Sequence, residues 1–267
     1  MKRIILTADD FGIAPEVNAA IAQGHRDGVL TCASLMIGAP AAQDAVALAR
    51  TLPTLAVGLH IVVADGMPVL PADQIPDLVD SRGRLRGDLA VAGARMFFLT
   101  RVREQLAQEI AAQFAAFEDT GLACDHVNAH NHMHLHPTVL SLIMQEAKPR
   151  GIKHLRLPHE PGQLALAPWI ALMRNRLQGQ GFICNDRLAG MAQTGHMTEA
   201  RVLALLETVG EGSTELYFHP ATRATAALEA EAPGYDRAGE LAALTSPRVK
   251  ARIESLGLTL SAFRDLR

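Results

Sequence analysis

The stretch DHVNAHNHMHLHP, Asp125 to Pro137, holds five of the chain's 11 histidines. Imidazoles can bind metal, carry protons or simply hydrogen-bond. His126, His130, His132, His134 and His136 share one parity with Asn128, so an extended strand would put them all on one face. At ~3.3 Å per residue, His126 and His136 would then lie roughly 33 Å apart, whereas metal to nitrogen bonds are about 2 Å. One ion can take only one or two of them. The others are left to orient ligands, meet substrate or sit at the surface, and so dense a run is poorly explained by packing alone.

Other polar groups could join such a site. In TADDFG, Asp9 and Asp10 are adjacent. Paired carboxylates often cap helices or turns, but on extended backbone their side chains point opposite ways and can do two jobs. One could bind a metal while its neighbour accepts a proton. His60 follows AVGL and His219 ends YFHP; each alone fits a satisfied buried histidine as well as a ligand. A set of one aspartate and two imidazoles suits Zn²⁺ or another late divalent ion better than Mg²⁺, which stays open. Three protein ligands leave a position for water, and a hydrolase follows from that. Arg156 in LRLP could hold substrate hydroxyls or form a surface ion pair. His132 and His134 could orient ligands or substrate.

The elements that must position these residues alternate between short apolar runs and helical patterns, as in a parallel sheet with crossover helices. The pattern predicts strands at Ile4 to Thr7, Cys32 to Ile37, LAVGLHIVV, Cys124 to about His130, HLRLP and TELYFHP. Helices are predicted from Pro15 to Gly28, over Ala41 to Arg50, and along REQLAQEIAAQFAAFEDTG, where Leu106, Ile110, Phe114 and Phe117 make a buried stripe. Further helices are expected from Thr138, over Ala167 to Gln178 and Thr198 to Val209, and after Ser246 and Pro247. Between about residues 64 and 100 the rhythm breaks into a segment rich in Pro, Gly and Asp, the mark of an irregular insertion that acts as a lid or small subdomain. Its MFFL group, Met96 to Leu99, reads as core, with lipid contact as the alternative. In parallel α/β folds reactive groups gather at the carboxyl ends of strands. Asp9, Asp10, His60, the histidine run and His219 all fall there.

Composition narrows the classes. A chain of 267 residues with 49% apolar and 20% charged residues has ample core material, and its length suits one α/β barrel domain spanning 1–267. Net charge is -3, which supplies no basic field for nucleic acid. The three cysteines, Cys32, Cys124 and Cys184, are odd in number and widely spaced; they read as buried hydrophobes in a reduced compartment and not as ligands. The amino-terminal MKRIILTADD is too short an apolar run for a signal peptide, and no window is long enough to span a membrane. A cytoplasmic protein is expected, with peripheral membrane contact and a homo-oligomer left open.

Taken in order, TADDFG, VGLH, HVNAHNHMHLHP and ELYFHP resemble the YdjC/ChbG family of carbohydrate deacetylases over nearly the full chain. KRIILTADDFGIAPEVN, DHVNAHNHMHLHPTVL and YFHPA look most like its hopanoid-biosynthesis-associated branch. The resemblance implies an irregular (β/α) barrel of the glycoside hydrolase/deacetylase type and metal-dependent removal of an N-acetyl group from an amino sugar, such as an N-acetylglucosaminyl hopanoid lipid. Motif by motif it makes Asp10, His60 and His130 ligands of one divalent ion, Asp9 the catalytic base and His219 the general acid. Asn128, Ala129 and Ala221 stand where many members carry Asp, Ser and Gly, which weakens any transfer of chitooligosaccharide specificity. The rivals are a chitooligosaccharide deacetylase, a metal-dependent phosphoesterase, and a non-enzymatic protein that binds metal or sugar.

Overall fold

The computed structural model describes residues 1–267. Its elements run β1 (Lys2–Phe11), α1 (Pro15–Arg26), β2 (Cys32–Leu35), α2 (Ala42–Arg50), β3 (Ala56–Ile61), α3 (Leu89–Phe98), α4 (Thr100–Asp119), β4 (Val127–Ala129), α5 (Pro137–Ala147), β5 (His154–Leu155), α6 (Ala167–Gly179), β6 (Ile183–Cys184), β7 (Arg187–Ala189), α7 (Glu199–Leu206), β8 (Gly212–Phe218), α8 (Ala226–Glu231), α9 (Arg237–Leu244), α10 (Pro247–Ser255) and β9 (Thr259–Leu260). All strand pairs in the sheet are parallel, in the order β6-β5-β4-β3-β2-β1-β8-β7, with β9 added to β1. The fold is the expected irregular (β/α) barrel.

The two ends of this path meet through a side chain. Buried Asn185, between β6 and β7, accepts from Leu157 N–H (2.7 Å) and donates to the carbonyls of Leu157 and Arg187 (both 3.0 Å). Leu188 N–H then donates to the His159 carbonyl (2.8 Å). An asparagine amide carries the same donor and acceptor as a peptide group, so it can bridge a gap where no ladder forms.

Strands β1 to β3 are buried almost throughout because helices cover one face and the barrel interior the other. The main apolar core lies between sheet and helices and takes in the predicted stripe Leu106, Ile110, Phe114 and Phe117. A smaller cluster, with Ile5, Cys32, Ala56 and Phe263, closes the amino-terminal ends of the strands. Pro15 opens α1, and the Ser246 hydroxyl caps α10 by accepting from Arg248 and Val249 N–H, both as expected.

Three expectations change. The 64–100 segment is irregular only to Asp88, whose carboxylate accepts from Val91 N–H and starts α3. Within MFFL only Met96 is buried; Phe97, Phe98 and Leu99 are exposed at the α3–α4 corner. The strand through Cys124 to His130 shrinks to Val127–Ala129, because Asn131 and His132 adopt left-handed backbone (φ 52° and 51°) and fold the histidine run into a tight turn. No helix is long and apolar enough to cross a membrane.

Candidate metal and catalytic centre

Asp9 and Asp10 end β1, His60 ends β3, Asn128 lies on β4 with His130 just beyond it, Arg156 follows β5, and Tyr217 and His219 end β8. All sit at the carboxyl ends of parallel strands, and most surround one cavity of about 380 Å³. The paired carboxylates do not diverge as on a regular strand. The ladder between β1 and β2 slips between Ala8 and Phe11, and Asp10 has φ 63°. Both carboxylates therefore reach the cavity. A left-handed aspartate costs about 1–3 kcal/mol and persists only where its surroundings enforce it.

Asp10, His60 and His130 each offer a ligand atom within 4.8 Å of the others. Asp10 Oδ1 lies 3.7 Å from His60 Nε2 and 3.4 Å from His130 Nδ1, both long for hydrogen bonds, and it has no other partner despite its burial. Three donor atoms around a gap, one of them an unsatisfied carboxylate oxygen, fit a cation. Burial opposes charge on Asp10, yet His130, His219 and His60 hold its carboxyl far below the usual range. Burial pushes the His60 imidazole down to about 4, so it is neutral, as a ligand must be.

Asp9 is held by a different set. Arg156 donates to both its oxygens, Nη1 to Oδ2 at 2.5 Å and Nη2 to Oδ1 at 3.0 Å, and its other side pairs with Glu215 on β8. Burial would raise the Asp9 carboxyl, but the Arg156 guanidinium beside it, with His60 and His219, holds it well below the usual range. Arg156 is 0% exposed. The sugar-contact role expected for it gives way to one of orienting Asp9, since its donors face carboxylates and not the cavity.

The remaining histidines separate. His219 lines the cavity between the edges of Tyr217 and Tyr235, with ring centroids 5.5 and 5.2 Å away, and its Nδ1 has no partner. Glu240 accepts its backbone N–H, and Arg237 donates to its carbonyl. His132 also lines the cavity, 3.3 Å from the Tyr217 hydroxyl, and burial takes its imidazole down to about 3. His134 is buried behind His132 and does not reach the cavity.

Sequence reasoning missed Tyr217, Tyr235, Thr194 and Glu215. Tyr217 and Glu215 share the parity of His219 on β8, which is the one signal that could have found them. Cys32, set aside on sequence distance, comes close to Asp125 and His126. The ring nitrogens of His126 are nevertheless already bonded to Asp125 and Ser34, leaving no ligand set.

The profile of the family described as YdjC-like protein matches residues 3–255. A carbohydrate deacetylase of Geobacillus stearothermophilus is 32% identical over 98% of this chain and 96% of its own. A chitooligosaccharide deacetylase of Enterobacter sp. (strain 638) is 31% identical over 99% of each chain. Among solved structures, a protein of Enterococcus faecalis V583, provisionally named a cellobiose-phosphate cleavage protein, is similar with a TM-score of 0.82 at 27% identity, covering 99% of this chain and 98% of that one.

Proposed function

The chain belongs to the YdjC-like protein family, and from that premise we propose that it is a metal-dependent deacetylase hydrolysing the N-acetyl group of an amino sugar. The observation that carries this reading is the convergence of Asp10, His60 and His130 beside Asp9 and His219 in one cavity. Asp10, His60 and His130 would hold one divalent ion, Zn²⁺ by ligand type. When bound, it supplies Lewis acidity at the acetyl carbonyl and acidifies water, which lets a carboxylate as weakly basic as Asp9 serve.

The chain's own residues do the rest. Asp9, kept ionised and oriented by Arg156, accepts the proton of the attacking water. His219, braced by two tyrosines and with Nδ1 unpartnered, protonates the nitrogen as the C–N bond breaks. Acetate and a free amine result. The leaving group needs that proton, because an amide anion is too basic to depart.

The sugar is proposed to sit on an apolar aglycone, as in an N-acetylglucosaminyl hopanoid. Leu89 of α3 lines the cavity, while Phe97, Phe98 and Leu99 are exposed further along that helix and just beyond it. An apolar pocket of about 120 Å³ shares Asp65 and Glu231 with the cavity wall. Chitooligosaccharides are the second reading, favoured by what the relatives are named for.

The test is acetate release by Zn²⁺-reconstituted protein from N-acetylglucosaminyl lipids and from chitin oligomers. Greater release from the lipids is expected. Asp9→Asn should abolish turnover and keep bound metal, whereas His130→Ala should lose both. Phosphate release from a sugar phosphate with no acetate from either substrate would overturn the reading.

A further inference from the structure

Beneath the catalytic cavity a line of buried side chains runs down the barrel interior to its opposite end. Its links are His60 Nδ1 to Asn128 Oδ1 (2.6 Å), Asn128 Nδ2 to Ser34 Oγ (2.9 Å), Ser34 Oγ to His126 Nε2 (3.0 Å) and His126 Nδ1 to Asp125 Oδ2 (3.0 Å). Asn128 Nδ2 also reaches Asp9 Oδ1 (3.1 Å). Asn128, Ser34, His126 and Asp125 are all at least nine-tenths buried.

A carboxylate at each end, Asp9 and Asp125, fixes the protons in this line. Asp9, bonded at both oxygens by Arg156, can only accept, so the Asn128 amide nitrogen must face it and Ser34. The Asn128 oxygen then faces His60, whose Nδ1 must carry the hydrogen. Ser34, accepting from Asn128, donates to His126 Nε2, and His126 Nδ1–H donates to the Asp125 carboxylate. All donors point the same way, toward an anion, an arrangement in which each bond polarises the next. The His60 lone pair is left on Nε2, the nitrogen that faces Asp10.

We infer that Asn128, Ser34, His126 and Asp125 form a positioning relay that locks His60 in its Nδ1–H tautomer and orients the Asp9 carboxylate. This rests on the metal reading of His60 for its purpose, though not for its geometry. The far end is itself anchored. Asp125 accepts from the backbone N–H of Phe263 (3.3 Å) and Arg264 (3.1 Å), and Phe263 stacks on the His126 ring at 4.4 Å. Gly58 keeps room for that ring, since a Cβ there would lie 2.5 Å from His126 Cε1.

Two measurements test the relay. In metal-free wild-type protein labelled with ¹⁵N-histidine, long-range ¹H–¹⁵N spectra should show His60, assigned by loss of its signal in His60→Gln, protonated at Nδ1. An Nε2–H His60 would overturn the inference whether or not the protein binds metal. Calorimetric titration with Zn²⁺ should find Ser34→Ala weaker than wild type by roughly tenfold or more, because Asn128 loses one of its two Nδ2 partners while Asp9 still fixes the His60 tautomer. His126→Phe, which keeps the stack on Phe263, should behave alike and serves if Ser34→Ala does not fold. A merely structural role would lower the melting temperature and leave affinity unchanged, and that result also defeats the relay. Failure of the wild type to bind Zn²⁺ would instead count against the metal reading and leave the tautomer to decide the relay.

Discussion

Arg156 carries its charge with no access to water, between Asp9 on one side and Glu215 on the other. Taking such a charge out of solvent is expensive, and only two carboxylates in hydrogen-bonding geometry make it tolerable. The planar guanidinium meets each with a fork, which a lysine ammonium cannot do. Arg156→Met would leave two buried carboxylates without their cation, so a stability loss of about 3–5 kcal/mol in urea unfolding is expected. Arg156→Lys should fall between Met and the wild type, because it restores charge without the fork. A loss below about 1 kcal/mol for Arg156→Met, the range of an exposed pair, would mean that the triad contributes no more than a surface contact.

Among the elements, β3 and β4 approach where Gly58 faces His126. A Cβ on Gly58 would stand 2.5 Å from the His126 carbonyl oxygen as well as 2.5 Å from ring Cε1. Gly58→Ala should therefore cost about 1–3 kcal/mol by overpacking, read as a lowered unfolding midpoint. Measured against His126→Ala as background, Gly58→Ala should still cost something, though less, since the backbone oxygen stays; no cost in that background would place the clash in the ring alone. The strand ends and their polar residues were legible in the sequence because the alternation of apolar runs and helical patterns marks them. Parity was legible too, but only as far as His130. His126, Asn128 and His130 all reach the barrel interior, after which left-handed Asn131 and His132 turn the chain. Asparagine and histidine both visit that backbone more readily than most residues, but in a run that alternates them with other histidines neither marks where the turn falls. The slip at Asp10 and the partners of Arg156 were illegible for another reason. They depend on which strands become neighbours across the barrel, and no local pattern encodes that. Helices α8 and α9 were also missed, although Thr225 and Asp236 cap them by accepting from Leu228 and Gly239 N–H.

At the scale of the whole molecule, the barrel is a parallel sheet whose ends are joined across a seam by Asn185. The seam divides the site unequally. Asp10, His60 and His130 belong to β1, β3 and the end of β4, strands joined through β2 by successive parallel ladders. Arg156 stands beside Leu157, whose N–H and carbonyl both bond to Asn185, while Glu215 stands on β8, which pairs with β7, the strand on the other side of the seam. Loosening the seam should therefore disturb Asp9, through Arg156 and Glu215, more than the three candidate ligands. Asn185→Ala strands the Leu157 N–H and takes a donor from the Arg187 carbonyl and from the Leu157 carbonyl, which keeps the His159 N–H, where Asn185 itself is fully buried. Each buried group so orphaned costs about 1–3 kcal/mol, so the urea midpoint should fall clearly. Asn185→Asp, which keeps the acceptor and places a carboxylate against those carbonyls, should do no better. Zn²⁺ affinity measured under native conditions should stay close to the wild type while deacetylation slows. Equal loss of metal binding and turnover would mean that the seam supports the whole site evenly, and an unchanged midpoint would mean that the barrel does not depend on Asn185 for its closure.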